Sequence, residues 1–295
     1  MHVNRNFKNS VFTTLFDNPD LLRELYCALE DVTLSPDTPV SITTLENVLY
    51  MDLYNDISFE IDGKLVILVE HQSTLNPNMA LRLMSYFNKL MEKITRSSAI
   101  YSKKLIHIPR PEFYVLYNGT DPFPDEEIMR LSDHFEKPQS LGLPEKPYPM
   151  MELEVRVLNI NEGKNQVIAN RCKKLAEYSA FIAKARYFIA EFGNKEEGIK
   201  AAIKYCQNHD ILKEFLEVHG SEVLNMVFLE WNTEDAIAYA REEGREEGRE
   251  EVREEEREKS RQDKLAIARK ALAKGLTPEY VSEITDLSLN EIANI

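Results

Sequence analysis

Two acids and an amide carry the chemistry that is easiest to read from this sequence. Asp56 opens the run Asp56-Ile57-Ser58-Phe59-Glu60-Ile61-Asp62-Gly63-Lys64-Leu65-Val66-Ile67-Leu68-Val69-Glu70-His71-Gln72, and Glu70 and Gln72 close it. Asp-Gly between two stretches of β-forming residues is a strong hairpin signal. Parity decides the faces, because side chains alternate along a strand and a one-residue slip inverts all of them. A two-residue loop would put Ile57 and Phe59 on the face of Lys64 and Glu70. A three-residue loop, Ile61-Asp62-Gly63, pairs Glu60 with Lys64 instead. It gathers Ile57, Phe59, Leu65, Ile67 and Val69 on one apolar face, and Asp56, Ser58, Glu60, Lys64, Glu70 and Gln72 on the other. In this register Asp56 faces Leu68 and lies diagonally from Glu70, within roughly 7–8 Å.

Carboxylates at that separation repel unless a proton or a cation sits with them. A hard divalent ion such as Mg²⁺ takes oxygen ligands and keeps several waters. It can activate water and stabilise the charge that develops in phosphodiester hydrolysis. Gln72 points to the same face, where it could hold the attacking water or a phosphate oxygen. A second reading fits the same spacing. In a chain with 50 acidic residues, Asp56 can end a strand and Glu70 can lie on a solvated face. Val66 and Leu68 on that face argue that it is covered, where an unpaired Glu is expensive.

The elements around the hairpin follow from periodicity. Residues 8–30 read as one amphipathic helix, with Val11, Leu15, Leu22, Leu25 and Leu29 near helical spacing. After a Pro-containing turn the chain is β-rich to about residue 71. Residues 76–95 return to helical spacing through Met79, Leu83, Phe87, Leu90 and Ile94. Phe113–Tyr117 is a short strand ended by Asn118-Gly119, residues 120–150 read as an irregular connection, and Leu153–Leu158 is a further strand. Residues 165–240 are helical in pattern. Arginine then recurs every four residues from Arg241 to Arg257, and residues 241–259 hold ten Glu. That period sets Glu–Arg pairs on adjacent turns, each adding about 0.2–0.5 kcal/mol, against two glycines costing about 1 kcal/mol each. The reading is a solvated, marginal linker helix. Four divisions result: 1–160, a core; 161–240, a helical extension; 241–260, a charged linker; 261–295, a small helical module. The last starts a helix at Thr277-Pro278 and has the order of a helix-turn-helix. Its basic and acidic residues balance, so partner docking or self-association is favoured over DNA reading.

Composition bounds the rest. A content of 43% hydrophobic residues can fill a core, and three scattered cysteines suit buried thiols better than disulfides or a zinc cluster. Neither a signal peptide nor a membrane span is expected, so the expected location is the cytoplasm. The net charge of −14 argues against coating nucleic acid by charge alone. The stretch from Lys89 to Arg110 is nonetheless basic: Lys89, Lys93, Arg96, Lys103, Lys104 and Arg110 stand against Glu92 alone. There is no Gly-rich phosphate loop, and the histidines show no ligand spacing. His71 alternates to the apolar face and is expected to be a satisfied, buried histidine.

Further segments carry a resemblance. Phe7-Lys8, Asn55-Asp56-Ile57-Ser58-Phe59, Val69-Glu70-His71-Gln72-Ser73-Thr74, Asn78-Met79-Ala80-Leu81-Arg82-Leu83, Val115-Leu116-Tyr117-Asn118-Gly119 and Leu158-Asn159-Ile160-Asn161 occur in this order. With the Gly-containing Arg/Glu tail, they resemble the Rpn family of recombination-promoting nucleases and transposases, of the PD-(D/E)XK nuclease superfamily. The resemblance implies an α/β nuclease core, a mixed sheet flanked by helices in the order α-β-β-β-α-β. It also implies a divalent-metal-dependent endonuclease acting on double-stranded DNA, with Mg²⁺ or else Ca²⁺ or Mn²⁺. Asp56 and Glu70 match the metal-binding acids, and Gln72 stands where the motif has lysine. That replacement removes a charge, which Lys8 could resupply. Arg82 and Tyr86 match family positions; the resemblance implies contacts of theirs to the DNA backbone, with an ion pair and a core-edge aromatic as the equal alternative. The basic stretch would supply phosphate contacts. A non-catalytic DNA-binding or protein-interaction module on the same fold is the alternative, and a homodimer through the helical extension or tail is open.

Overall fold

The computed structural model describes residues 10–43, 56–95, 100–136 and 148–294. Lys8 and Arg96 lie outside the described residues. The chain divides into two compact units, 1–232 and 233–295.

The first unit begins with α1 (Val11–Leu15) and α2 (Pro19–Leu29), not with one helix. Asn18 explains the break. Its side chain accepts from the N–H groups of Asp20 and Leu21, and Pro19 has no N–H to continue a preceding helix. Strands β1 (Val40–Ile42), β2 (Ile57–Ile61) and β3 (Leu65–Gln72) follow, then α3 (Met79–Ile94) and β4 (Arg110–Tyr117). From α2 to β4 the described elements follow the order α-β-β-β-α-β, compatible with the expected core. It continues with β5 (Glu126–Arg130), one turn of 3-10 helix (Leu131–His134) and β6 (Glu154–Asn159). β5 corrects the reading of 120–150 as irregular. Its sequence, Glu-Glu-Ile-Met-Arg, has too little apolar alternation to signal a strand, and it pairs at the sheet edge through Arg156–Glu126 and Arg130–Glu154. Helices α4 (Gln166–Arg171), α5 (Lys173–Phe192) and α6 (Lys195–Asn208) precede the long α7 (Lys213–Ala273).

Among the described residues, six strands form one mixed sheet in the order β1-β2-β3-β4-β6-β5. β3, β4 and β6 run parallel, while β1, β2 and β5 run antiparallel to their neighbours. Both faces are covered, as buried parallel strands require. Ile57, Phe59, Ile67, Val69, Tyr114 and Leu116 pack with α1, α2, α5 and α6 on one side. Val66, Leu68, Val115, Tyr117 and Val157 pack with Met79, Ala80, Leu83, Tyr86 and Leu90 of α3 on the other.

The hairpin register differs from the expected one by two residues. Ile61 pairs with Leu65 and Ile57 with Val69, so the loop is Asp62-Gly63-Lys64. Asp62 and Gly63 both have positive φ, 51° and 63°, and the Lys64 N–H closes onto the Ile61 carbonyl. Asp and Gly are the residues that tolerate that pair of left-handed conformations. The parity is unchanged, so the faces are those expected. The shift carries Asp56 from a diagonal of Glu70 to the rung directly opposite it.

In the second unit, the end of α7 packs with α8 (Pro278–Thr285) and α9 (Leu289–Ala293) around Ala268, Ala271, Val281, Leu287 and Ile292. Thr277 and Ser288 cap the two short helices.

Gly119 marks where the sheet is tightest. A Cβ there would lie 2.0 Å from the Ser73 carbonyl oxygen and within 2.4 Å of the Tyr117 ring. Only glycine lets the end of β4 pass the end of β3 just beyond Gln72. Overpacking of this kind costs about 1–3 kcal/mol. Gly119→Ala should therefore lower the melting temperature by several degrees in a calorimetric scan; an unchanged transition would show that the strand ends can part freely.

Candidate functional site

The site is built on two strands and the first turn of one helix. Extension of the β2–β3 ladder brings Asp56 against Glu70. The Asp56 N–H donates to Glu70 Oε1 at 3.1 Å, and the His71 N–H donates to Asp56 Oδ2 at 2.7 Å. Glu70 is only 2% exposed. α3 then lays Arg82 over it: Arg82 Nη2 donates to Glu70 Oε2 at 3.1 Å and to the Tyr86 hydroxyl at 3.0 Å. Residues 82 and 86 are one turn apart on α3, which places both on the face toward β3. Asp56 Oδ1 has no hydrogen-bond partner among the described residues.

Charge counting gives the electrostatics. Two carboxyl groups meet one guanidinium, so the buried cluster holds one uncompensated negative charge or one proton. Burial pushes the Asp56 carboxyl up to about 6, against the His71 N–H and Arg82, which pull it down. Burial, then the neighbouring Asp56 charge, raises Glu70 well above the usual carboxylate range, against Arg82. The pair is short of positive charge. A divalent cation, supplied with two hard oxygen donors here, fits that deficit chemically, and waters or phosphate oxygens would have to complete its shell. Among the described residues no group of three or more His, Cys, Asp or Glu side chains is arranged to hold a metal.

Gln72 lies one step beyond, on the same face, and is already engaged. Its Nε2 contacts Met79 Sδ at 3.0 Å, and its Oε1 accepts from the Asn76 N–H at 3.2 Å. His71 points the other way. Its Nε2 shares a hydrogen bond with the Tyr178 hydroxyl at 3.0 Å, and its ring stacks on Phe12. Burial, then the charge of Arg186, pushes it down to about 3, so it is neutral near pH 7. The expected satisfied histidine on the apolar side is what the fold contains.

The structure thus joins Asp56, Glu70, Arg82 and Tyr86, with Gln72 alongside. Among the described residues, it does not bring the other expected basic residues to them. α3 leads away from the acids, so Lys89 and Lys93 stand about 10 and 16 Å further along its axis than Arg82. Lys103 and Lys104 are on the loop entering β4, whose Arg110 pairs with Leu65 at the turn end of the hairpin. Tyr86 is buried beneath Arg82, with only 2% of its surface exposed.

Sequence reasoning missed a polar cluster on the opposite face. Arg186 of α5 donates to Asn118 Oδ1 at 3.0 Å, to Asn161 Oδ1 at 3.1 Å and to the Asn118 carbonyl. Asn161 donates onward to the Gly119 carbonyl, and the Asn118 N–H donates to the Gln72 carbonyl. This ties the ends of β3, β4 and β6 to one helix. Asn118-Gly119 was legible only as a turn, and nothing near Arg186 in the chain marks it.

The raised carboxyl pKa values have a consequence for stability. A folded-state value above the unfolded one contributes stability below the unfolded pKa and loses it as pH rises through the folded pKa. For Asp56 that loss runs from about 4 to beyond 6. Asp56→Asn keeps an acceptor for His71 and removes the charge. Without divalent cations it should melt above the parent at pH 8 and close to it at pH 4; a lower melting temperature at pH 8 would contradict the charge count.

The sequence family described as "Putative transposase, YhgA-like" matches residues 19–176, from the first turn of α2 into α5 and including the six described strands. No curated protein and no solved structure matches the chain. The matched region covers more than half of the sequence, and it contains both carboxyls, Gln72 and Arg82. The chain belongs to the YhgA-like putative transposase family, within the Rpn/PD-(D/E)XK group.

Proposed function

We propose that this protein is a divalent-metal-dependent DNA endonuclease whose breaks promote recombination or transposition. The observation that carries the reading is the direct opposition of Asp56, half-buried, and Glu70, buried, short of one positive charge, in a family whose name points to DNA. Asp56 and Glu70 would hold the ion, Mg²⁺ by the hardness of the donors. The chemistry that ion supplies when bound is water activation and stabilisation of charge on the phosphate.

The chain's own residues do the rest. The His71 N–H fixes Asp56 Oδ2, so Oδ1 would be the oxygen offered to the ion. Arg82 pairs with Glu70, opposing the burial that favours its protonated form, and adds positive charge beside the phosphate path. Gln72 Nε2, on leaving the Met79 sulfur, can donate to the attacking water or to a phosphate oxygen. Being neutral, Gln72 orients without supplying charge, so Arg82 is the described cation nearest the acids. Lys93, Lys103 and Lys104 are exposed and suit phosphate contacts remote from the cut.

A second reading is a DNA-binding or protein-interaction module without turnover. It is favoured by the engagement of Gln72 with Met79 and Asn76, and of Arg82 with Glu70. Nicking of supercoiled plasmid separates the two. The parent chain should nick with Mg²⁺ and stop in EDTA, and Asp56→Asn and Glu70→Gln should each lose roughly a hundredfold or more in rate. A folded parent that never nicks would favour the module; variants that nick at the parent's rate would remove these acids from the site.

A further inference from the structure

The loop between α3 and β4 combines two properties that rarely occur together on a soluble surface. Tyr101 is 86% exposed and Leu105 82%, with Ile100 and Ile108 also exposed. Between Tyr101 and Leu105 stand Lys103 and Lys104, both exposed. The surrounding sequence has no acidic residue from Lys93 to Pro111, in a chain carrying 50 of them. The tip has a local cause. Ser102 Oγ accepts from the Lys104 N–H and donates to the Lys104 carbonyl, closing a tight turn that sets Tyr101 and Leu105 on its flanks. At its far end the Arg110 N–H is fixed to the Lys64 carbonyl at 2.8 Å, and the Arg110 side chain is paired with Glu112.

Charge complementarity selects the occupant. Two exposed lysines in a stretch of sequence without acids suit phosphates, and an exposed aromatic beside them suits the face of a base. Fully paired duplex hides its base faces, so Tyr101 and Leu105 gain a partner only where bases are unpaired or unstacked. We propose that residues 100–109 form a subsite for unpaired DNA bases, with Tyr101 as the stacking platform, Leu105 as an apolar wedge, and Lys103 and Lys104 on the flanking phosphates. The proposal rests on the DNA reading above and names its substrate class: gapped, bulged or single-stranded DNA. The loop enters β4 beside Leu65, five residues before Glu70 on β3, or about 17 Å along the strand.

Fluorescence anisotropy tests this with the full chain carrying Asp56→Asn, so that the probes stay intact in Mg²⁺. The probes are a labelled duplex, the same duplex with a short gap, and the labelled strand alone. The gapped and single-stranded probes should bind more tightly than the duplex. Adding Tyr101→Ala with Leu105→Ala should remove that preference, weakening them by roughly five- to a hundredfold while the duplex changes little. Lys103→Ala with Lys104→Ala should weaken all three probes and flatten the salt dependence. Equal binding of all probes by the starting chain overturns the subsite but leaves the DNA reading intact. Failure to bind any probe overturns both. If the apolar pair instead alters the mass in sedimentation and leaves DNA binding untouched, the loop is a protein contact and the proposal falls.

Discussion

Asp56 and Glu70 face each other across one rung of the β2–β3 ladder, inside a covered sheet, with one guanidinium to share between them. Two ionised carboxylates in that place repel each other and lose their hydration together, which is why both are pushed toward the protonated form. The structure does not resolve this by exposing them. It surrounds them with fixed donors, one N–H from Asp56 itself, one from His71 and one arm of Arg82, and still leaves a deficit. A structural ion pair would have been complete with one acid. The second acid makes the arrangement costly by itself and useful to a cation.

Much of the first unit can be understood as holding that rung still. The turn at Asp62-Gly63 sets the register that places 56 against 70. α3 starts a few residues after Gln72, so that its first turns reach back over the strand with Arg82 and Tyr86. On the other face, His71 is locked to Tyr178 and Phe12, and Arg186 gathers Asn118 and Asn161. These contacts act through the backbone of β3 and β4, whose residues alternate between the two faces. A displacement of His71 would move Glu70 and Gln72 with it.

How much of this the sequence disclosed depends on the range of the interaction. Alternation identified the two faces of the hairpin and put Asp56, Glu70 and Gln72 on the same one, because parity survives a shift of two. The register did not survive, since a turn with two left-handed residues followed by one extra residue pairs Ile61 with Leu65, and that choice lies in backbone energetics rather than in pattern. Asn18-Pro19 was a visible helix boundary, hidden by apolar spacing that ran through it. β5 was illegible because a polar edge strand has no apolar periodicity to show. The Arg186 cluster needs α5 packed on the sheet, a contact with a separation of 68 residues that no local rule encodes. The basic stretch was read correctly as basic, but its distance from the acids became visible only once the direction of α3 was known.

The central claim is that the opposed carboxyls are an ion-binding pair rather than a structural one. Isothermal titration of the purified chain with Mn²⁺ or Mg²⁺, at pH 5 and at pH 8, measures this without any need for turnover. The account requires one divalent ion per chain that binds more tightly at pH 8, with proton release near pH 6, and that is lost in the Asp56→Asn, Glu70→Gln double variant. Binding heats that are identical in parent and double variant at both pH values would contradict it.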